Sequence, residues 1–417
     1  MLNYYDRPFV YFHPKPNRFI LSLGKLYNRY YYLNSHVHKV KSVDCMDTEK
    51  IRQLASDKKN RLLFISNHPS HSDSQVIMEA YRQMGISSNF MAAYDLFFRQ
   101  SKFNRWVMQK AGSFSVDREA FNTESIKEAV NTLIKGKYHL TIFSEGRPYL
   151  QNDLLTPFQD GGAFIALSAQ KRLDDRALGE RVILVPIAIK LTHIENSRSE
   201  ILLMLKSLYD YLNITPDPEI KIEKSIEYLA LSLMEHGLKS FGFPPSKGET
   251  TEKKVDFSVS LIVESLENEM SIIPESDKSI DDRIKKIRSE IHNVMLQSNA
   301  ECNLWALSRI RAQKIMLAMK IMSYPLDYLK NNPTLDRCGE FVERLIEDKD
   351  SKATPPYSTR KGLVKFGKPF TLSEINPSGE LKKSALLTRI TNLSQDSIQK
   401  MLDSINLTNN YSGGELF

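Results

Sequence analysis

The 417-residue sequence predicts an α/β protein: a sheet domain with flanking helices, interrupted by a mainly helical insertion. Three observations predict it. Short apolar runs alternate with amphipathic stretches between residues 60 and 190. The periodicity from 193 to 358 is mostly helical. A strand-like run then returns at Leu363–Pro369. With 41% apolar and 26% charged residues the chain can bury a sizeable core.

In order, Leu62-Leu63-Phe64-Ile65 is continuously apolar, as a strand covered on both faces should be, and it ends at Ser66-Asn67-His68. A helix is expected over Asp73–Met84, closed by Gly85, and a second strand over Phe90–Tyr94. Ile126, Val130, Leu133 and Ile134 share a helical face, ended by Gly136. His139–Phe143 reads as a third strand, Ala163–Lys171 as a helix after Gly161-Gly162, and Val182–Ile189 as another strand. Pro186 inside that last run implies an edge or a bulge.

Ile284, Ile287, Ile291 and Val294 line one later helix. Leu304, Leu307, Ile310, Met316, Met319 and Met322 fall in the next, which Pro325 stops. Methionine-rich faces of this kind usually pack in a core. Pro244–Lys254 and Asp348–Arg360 read as linkers. A helix carrying Leu386, Ile390 and Leu393 follows the late strand. The expected division is a segment 1–47, a discontinuous sheet domain 48–192 plus 359–405, an insertion 193–358 and a tail 406–417.

The net charge of +7 sits almost wholly in residues 1–43, where Arg7, Lys15, Arg18, Lys25, Arg29, Lys39 and Lys41 oppose Asp6 alone. Tyr4, Tyr5, Phe9, Tyr11, Phe12, Phe19, Tyr27, Tyr30, Tyr31 and Tyr32 lie among them. Basic and aromatic residues together suit an anionic membrane surface. A structural arm packed by its aromatics is the alternative, and nucleic acid is not expected as a partner. No apolar run approaches the ~20 residues of a spanning helix, and no signal-peptide pattern opens the chain. The expectation is therefore a cytoplasmic protein on the inner face of a membrane. Cys45, Cys302 and Cys338 are too few and too scattered for a disulfide framework.

Three polar clusters stand out, and two of them, His68–Asp73 and Glu145–Arg147, follow predicted strands, where α/β sheets place their sites. In Asn67-His68-Pro69-Ser70-His71-Ser72-Asp73, the short turn can bring the Asp73 carboxylate back onto the His68 imidazole, fixing its tautomer for general-base work. Otherwise Ser72 or Asp73 merely caps the helix, or His68, His71 and Asp73 ligate a metal. No nucleophile elbow is present, so the base would activate a substrate hydroxyl. In the second cluster, Gly112 permits a close backbone path and Arg118 offers a planar fork for phosphate, unless Asp117 and Arg118 are only a surface pair. In the third, Glu145-Gly146-Arg147 could bind a hydroxyl and a phosphate, or be a turn with solvated charges.

In order, these clusters resemble the four blocks of the glycerolipid acyltransferases, the 1-acyl-sn-glycerol-3-phosphate acyltransferases in particular. His-x4-Asp matches His68–Asp73. Gly-x-Phe-x-[Val/Ile]-Asp-Arg matches Gly112–Arg118, Phe-Pro-Glu-Gly corresponds to Phe143–Gly146, and Val-Pro-[Ile/Val] to Val185–Ile187. The resemblance covers about 60–192 and extends to the Phe366-Gly367-Lys368-Pro369 strand. It implies His68 as base, Asp73 as its orienting carboxylate, Arg118 on the acceptor phosphate, and Gly112, Glu145, Gly146 and Arg147 at the acceptor. It further implies acyl-CoA or acyl-carrier protein as donor, lysophosphatidic acid or a related glycerophosphate as acceptor, and no cofactor or metal. Two departures stand out: Ser144 replaces the usual Pro, and Arg147-Pro148 stands where Thr-Arg is common. Glycerol 3-phosphate or another lysophospholipid is the alternative acceptor. A metal-dependent hydrolase and a non-catalytic lipid-binding module are the other classes.

Overall fold

A computed structural model describes residues 9–118, 123–274, 278–296, 302–324, 326–330 and 332–417. Tyr4, Tyr5, Asp6 and Arg7 of the basic segment, and Pro325, expected to stop a helix, lie outside them.

The chain begins with α1 (Arg18–Tyr27), a π-helical turn (Asn28–Tyr32), β1 (Val40–Met46), α2 (Glu49–Ser56) and β2 (Asn60–Ser66). It continues through α3 (Asp73–Met84), β3 (Ser88–Ala93), α4 (Tyr94–Arg99), α5 (Lys102–Lys110), β4 (Ser113–Val116), α6 (Thr123–Lys135), β5 (His139–Phe143), α7 (Gly161–Asp174) and β6 (Arg181–His193). Among the described residues six helices follow: α8 (Arg198–Leu212), α9 (Ile222–Ser240), α10 (Thr251–Glu269), α11 (Ile280–Leu296), α12 (Cys302–Met322) and α13 (Leu335–Asp350). Then come β7 (Arg360–Phe366), β8 (Phe370–Thr371), α14 (Leu372–Ile375) and α15 (Lys383–Leu407).

The strands form one sheet in the order β1-β7-β6-β2-β5-β3-β4, with β8 beside the start of β6. The predicted α/β class holds. β6, β2, β5, β3 and β4 are parallel, and β7 runs against β6. One sheet edge therefore gathers the carboxyl ends of five strands with the amino ends of β7 and β1: His193 lies opposite Arg360, and Arg360 opposite Val40. Both faces are covered. Leu62 and Phe64 pack with Val76, Ile77 and Tyr81 of α3, while Leu63 and Ile65 pack with α6, α7 and α15.

Pro186 is neither at an edge nor in a bulge. It sits inside β6, paired with Ile65 of β2 on one side. On the other, β7 pairing begins at Ile187 and β8 pairing stops at Leu184, so Pro186 faces the crossing between them and needs no N–H there. Its carbonyl accepts from Gly367 N at 2.8 Å. The expected linkers are also shorter than predicted. Thr250 caps α10, its side chain accepting from Lys253 N, and α13 runs on to Asp350. Tyr94 opens α4 rather than ending a strand.

The helical block has two apolar centres. One joins α9–α12 and buries Met316 and Met319, whereas Leu304, Leu307 and Ile310 of α12 are exposed. The other joins α8, α9 and α13 through Leu335, Phe341, Val342 and Leu345. Opposite that apolar face, α13 carries Asp336, Glu340, Glu343 and Glu347, spaced to share one side of the helix, and all four are buried. This stripe lies against the sheet: Asp336 reaches His193, Glu340 reaches Asn152, and Glu343 accepts from Tyr357 N.

Candidate active site

β2 ends at Ser66, and the turn that follows is anchored by Asn67. Its side chain donates to Ile189 O and accepts from Ile189 N on β6, at 2.9 and 2.8 Å. This brings His68 Nδ1 to 2.7 Å from Asp73 Oδ2, which also accepts from Ser70 N at 2.9 Å. Asp73 is fully buried; burial raises its pKa, and the bonds from His68 and Ser70 work against that rise. With the carboxylate ionised, Nδ1 carries the hydrogen and Nε2 the lone pair. The imidazole lies over the Phe143 ring, centroids 4.5 Å apart and planes at 24°, and keeps 21% of its side chain exposed.

The helix-cap reading of this turn does not hold. Ser72 makes no side-chain cap to α3; its hydroxyl instead lies 3.0 Å from His38 Nδ1 and accepts from Arg360 Nη2 at 3.1 Å. His71 turns away from the pair, its Nε2 3.1 Å from both oxygens of Glu347 on α13. Burial opposes ionisation of Glu347, but the His71 imidazole helps hold its carboxyl low. Among the described residues no group of three or more His, Cys, Asp or Glu side chains is arranged to hold a metal ion.

The loop after β5 braces the same turn. Glu145 Oε1 accepts from His68 N at 2.6 Å, and Oε2 accepts from Thr156 N at 3.0 Å and from the Thr156 hydroxyl. Burial pushes the Glu145 pKa up, against those bonds. Both carboxylate oxygens are thus engaged inside the protein, and Glu145 braces the backbone of the His68 turn. Gly146 has φ +74°, a left-handed backbone conformation that favours glycine at this turn. Ser144, at the block's usual proline position, donates its N–H to Ser66 O at 3.0 Å and joins the two loops; proline could not. Arg147 is buried.

The Gly112–Arg118 segment spans β4, so Arg118 lies farther along the same edge while Gly112 lies at the opposite, amino-end edge, away from His68. Gly112, at φ +89°, turns the chain into β4 so close to Asn89 that a Cβ would lie 2.4 Å from Asn89 Oδ1. Its role is to set the path of β4. Arg118 Nη2 is 3.1 Å from Asp95 Oδ1 on α4, just after β3. Asp117 is buried and bonded at 2.8 Å to His292 Nε2 of α11, so it is not half of a surface pair. Since β2, β5, β3 and β4 are neighbours in that order, His68, Glu145, Asp95 and Arg118 form a row along their carboxyl ends.

Residues 42–190 match the family described as Acyltransferase. They form an acyltransferase domain of the glycerolipid acyltransferase family. No curated protein matches the chain. The match begins in β1 and ends in β6, so it takes in all three loops but neither α13 nor β7. Membership means an acyl donor and a lipid acceptor in general terms. The candidate site also depends on residues that carry no signal in the motifs: Asp95, Glu347 and Arg360. Asp95 was within reach of sequence reasoning, one residue past a predicted strand. Glu347 and Arg360 lie 276 and 288 residues from their partners in the turn, and no local signal marks them.

Proposed function

We propose that this protein transfers a fatty acyl group from acyl-CoA or acyl-carrier protein to the free hydroxyl of 1-acyl-sn-glycerol-3-phosphate, forming phosphatidic acid. The observation that carries this reading is the His68–Asp73 pair, closed at 2.7 Å on a partly exposed imidazole at the sheet's carboxyl edge. His68 Nε2 takes the proton of the acceptor hydroxyl as its oxygen attacks the thioester carbonyl. A C–O bond forms, the C–S bond breaks, and the imidazolium returns its proton to the departing thiolate. Asp73 keeps the tautomer and stabilises the imidazolium. Glu145 and Phe143 hold the ring in place. Arg118 binds the acceptor phosphate, exchanging or sharing its bond with Asp95.

The same reading takes 48–192 with 359–405 as the catalytic unit, 193–358 as an insertion, and the basic aromatic segment as its contact with an anionic membrane. No described helix is long and apolar enough to cross a bilayer.

The test is thiol release from acyl-CoA with lysophosphatidic acid, glycerol 3-phosphate and a neutral lysolipid as acceptors. Wild type should favour lysophosphatidic acid, and Arg118→Ala should lose roughly tenfold or more on phosphate-bearing acceptors while sparing the neutral one. Equal losses on all three would remove the phosphate role of Arg118. A preference for glycerol 3-phosphate would replace the acceptor.

A further inference from the structure

The opposite edge of the sheet holds a cleft of about 430 Å³ that the proposed chemistry does not use. It lies between α1, the end of α2, the end of α3 and the amino ends of β3 and β5. Its charged lining is one-sided: Arg18, Arg52 and Lys137 reach it, and no carboxylate does. None of the three makes an ion pair among the described residues; Arg52 donates only to Gln83 O, at 3.2 Å. Tyr138 also lines the cleft, and its hydroxyl is buried with no hydrogen-bond partner. Three uncompensated cations lining one cleft suit an anion rich in acceptor oxygens.

α1 indicates where that anion comes from. One side of the helix faces the protein: Leu21 is buried, Lys25 donates to Ile86 O, and Asn28, just beyond, donates to Gln75 O. The other side carries Phe19, Leu23, Leu26 and Tyr30 at helical spacing, all exposed, Phe19 at 71%. An apolar stripe turned to water is what an interfacial helix presents to a bilayer. Those hydrogen bonds show that α1 and its π-turn run antiparallel to α3. The segment starts at the cleft beside Met84 and leads towards His38, which contacts Ser72 of the catalytic turn. The stripe thus borders the cleft at one end and the turn at the other.

We infer that the cleft is a second lipid site, which takes the phosphate of an anionic phospholipid headgroup while the α1 stripe lies against the acyl-chain layer. This site is separate from the dyad and does not rest on its chemistry.

The experiment compares wild type with the triple variant R18A/R52A/K137A and with a control of equal charge change on the insertion, K206A/K221A/K239A. Binding is measured to vesicles of phosphatidylcholine with and without phosphatidic acid, and thiol release from acyl-CoA is followed with a water-soluble acceptor. The cleft variant should lose on the order of a hundredfold in binding to phosphatidic acid vesicles, and the control should stay close to wild type. Thiol release should be unchanged in the cleft variant, so failure of the dyad and failure of the cleft are read separately. Equal losses in the cleft variant and the control would overturn the inference, as would wild-type binding that ignores phosphatidic acid. Binding of inorganic phosphate as tight as that of a soluble short-chain phosphatidic acid would also overturn it, by making the cleft a free-phosphate site.

Discussion

Among the described residues, two histidine–aspartate pairs are built to nearly the same plan. In each, Nδ1 lies 2.7 Å from a fully buried carboxylate: His68 with Asp73, and His193 with Asp336. In each, an aromatic ring stacks on the imidazole at 24°, Phe143 at 4.5 Å and Tyr357 at 4.3 Å. In each, the histidine's own N–H donates to a buried carboxylate, Glu145 or Asp336. What differs is access. His68 keeps 21% of its side chain exposed, whereas His193 keeps 4%, with Nε2 buried and unpartnered. Burial accordingly drives the His193 pKa down despite its carboxylate. Pair geometry alone therefore does not identify a base; the second ring nitrogen must also be reachable.

That comparison can be broken directly. His68→Ala is expected to lower kcat by about 10³-fold or more. His193→Ala should leave kcat per folded molecule within a few-fold of wild type and lower Tm instead. Comparable kcat losses in the two variants would mean that access is not the deciding difference. Asp73→Asn should lower kcat by roughly 10²-fold or more, by presenting the wrong tautomer. Asp336→Asn should appear in denaturant titration as a loss of about 3 kcal/mol, because Lys190 then keeps fewer buried partners.

A smaller effect tests whether α13 steadies the accessible pair. Glu347→Gln should lower kcat about tenfold through displacement of the turn, with KM for acyl-CoA unchanged. A raised KM with unchanged kcat would make Glu347 a binding element instead.

The smallest effect concerns the buried stripe itself. Burial raises the Glu343 pKa from 4.5 to about 7, the nearby Arg360 charge opposing the rise. Between those values the folded state holds a proton that the unfolded chain releases. Stability is therefore lost as pH rises from 4.5 to 7, and the penalty is complete above 7. Glu343→Gln removes it: Tm should exceed wild type by about 2 °C or more at pH 8, and the gain should vanish near pH 4.5. A gain independent of pH would contradict the assignment.

The dyad was legible because it is local. A six-residue turn between an apolar strand and a helix start leaves little freedom, and the helix over Asp73–Met84 falls where its periodicity places it. Pro186 misled because its neighbours across the sheet come from residues 360–371, a register that no local pattern reveals. α13 escaped notice because acidic residues at helical spacing ordinarily mark a solvated face. Here that face is satisfied by partners on distant strands and loops. Glu145 was recognised by its block but its bracing of the turn was not, since Thr156 and the His68 amide claim its oxygens only once the chain is folded.

The antiparallel insertion of β7 between β1 and β6 bears on the order in which the site can mature. The turn holding His68 and Asp73 is synthesised 288 residues before Arg360, the guanidinium that fastens Ser72. Until then the nascent chain has a family-matching sheet with a gap beside β6 and an unfastened turn. Closing that gap is a contact of high sequence separation, the slow kind in folding. Formation of the competent turn should therefore coincide with docking of β7, late on the folding pathway, and cutting the chain between α13 and β7 should slow the recovery of activity more than the recovery of helix.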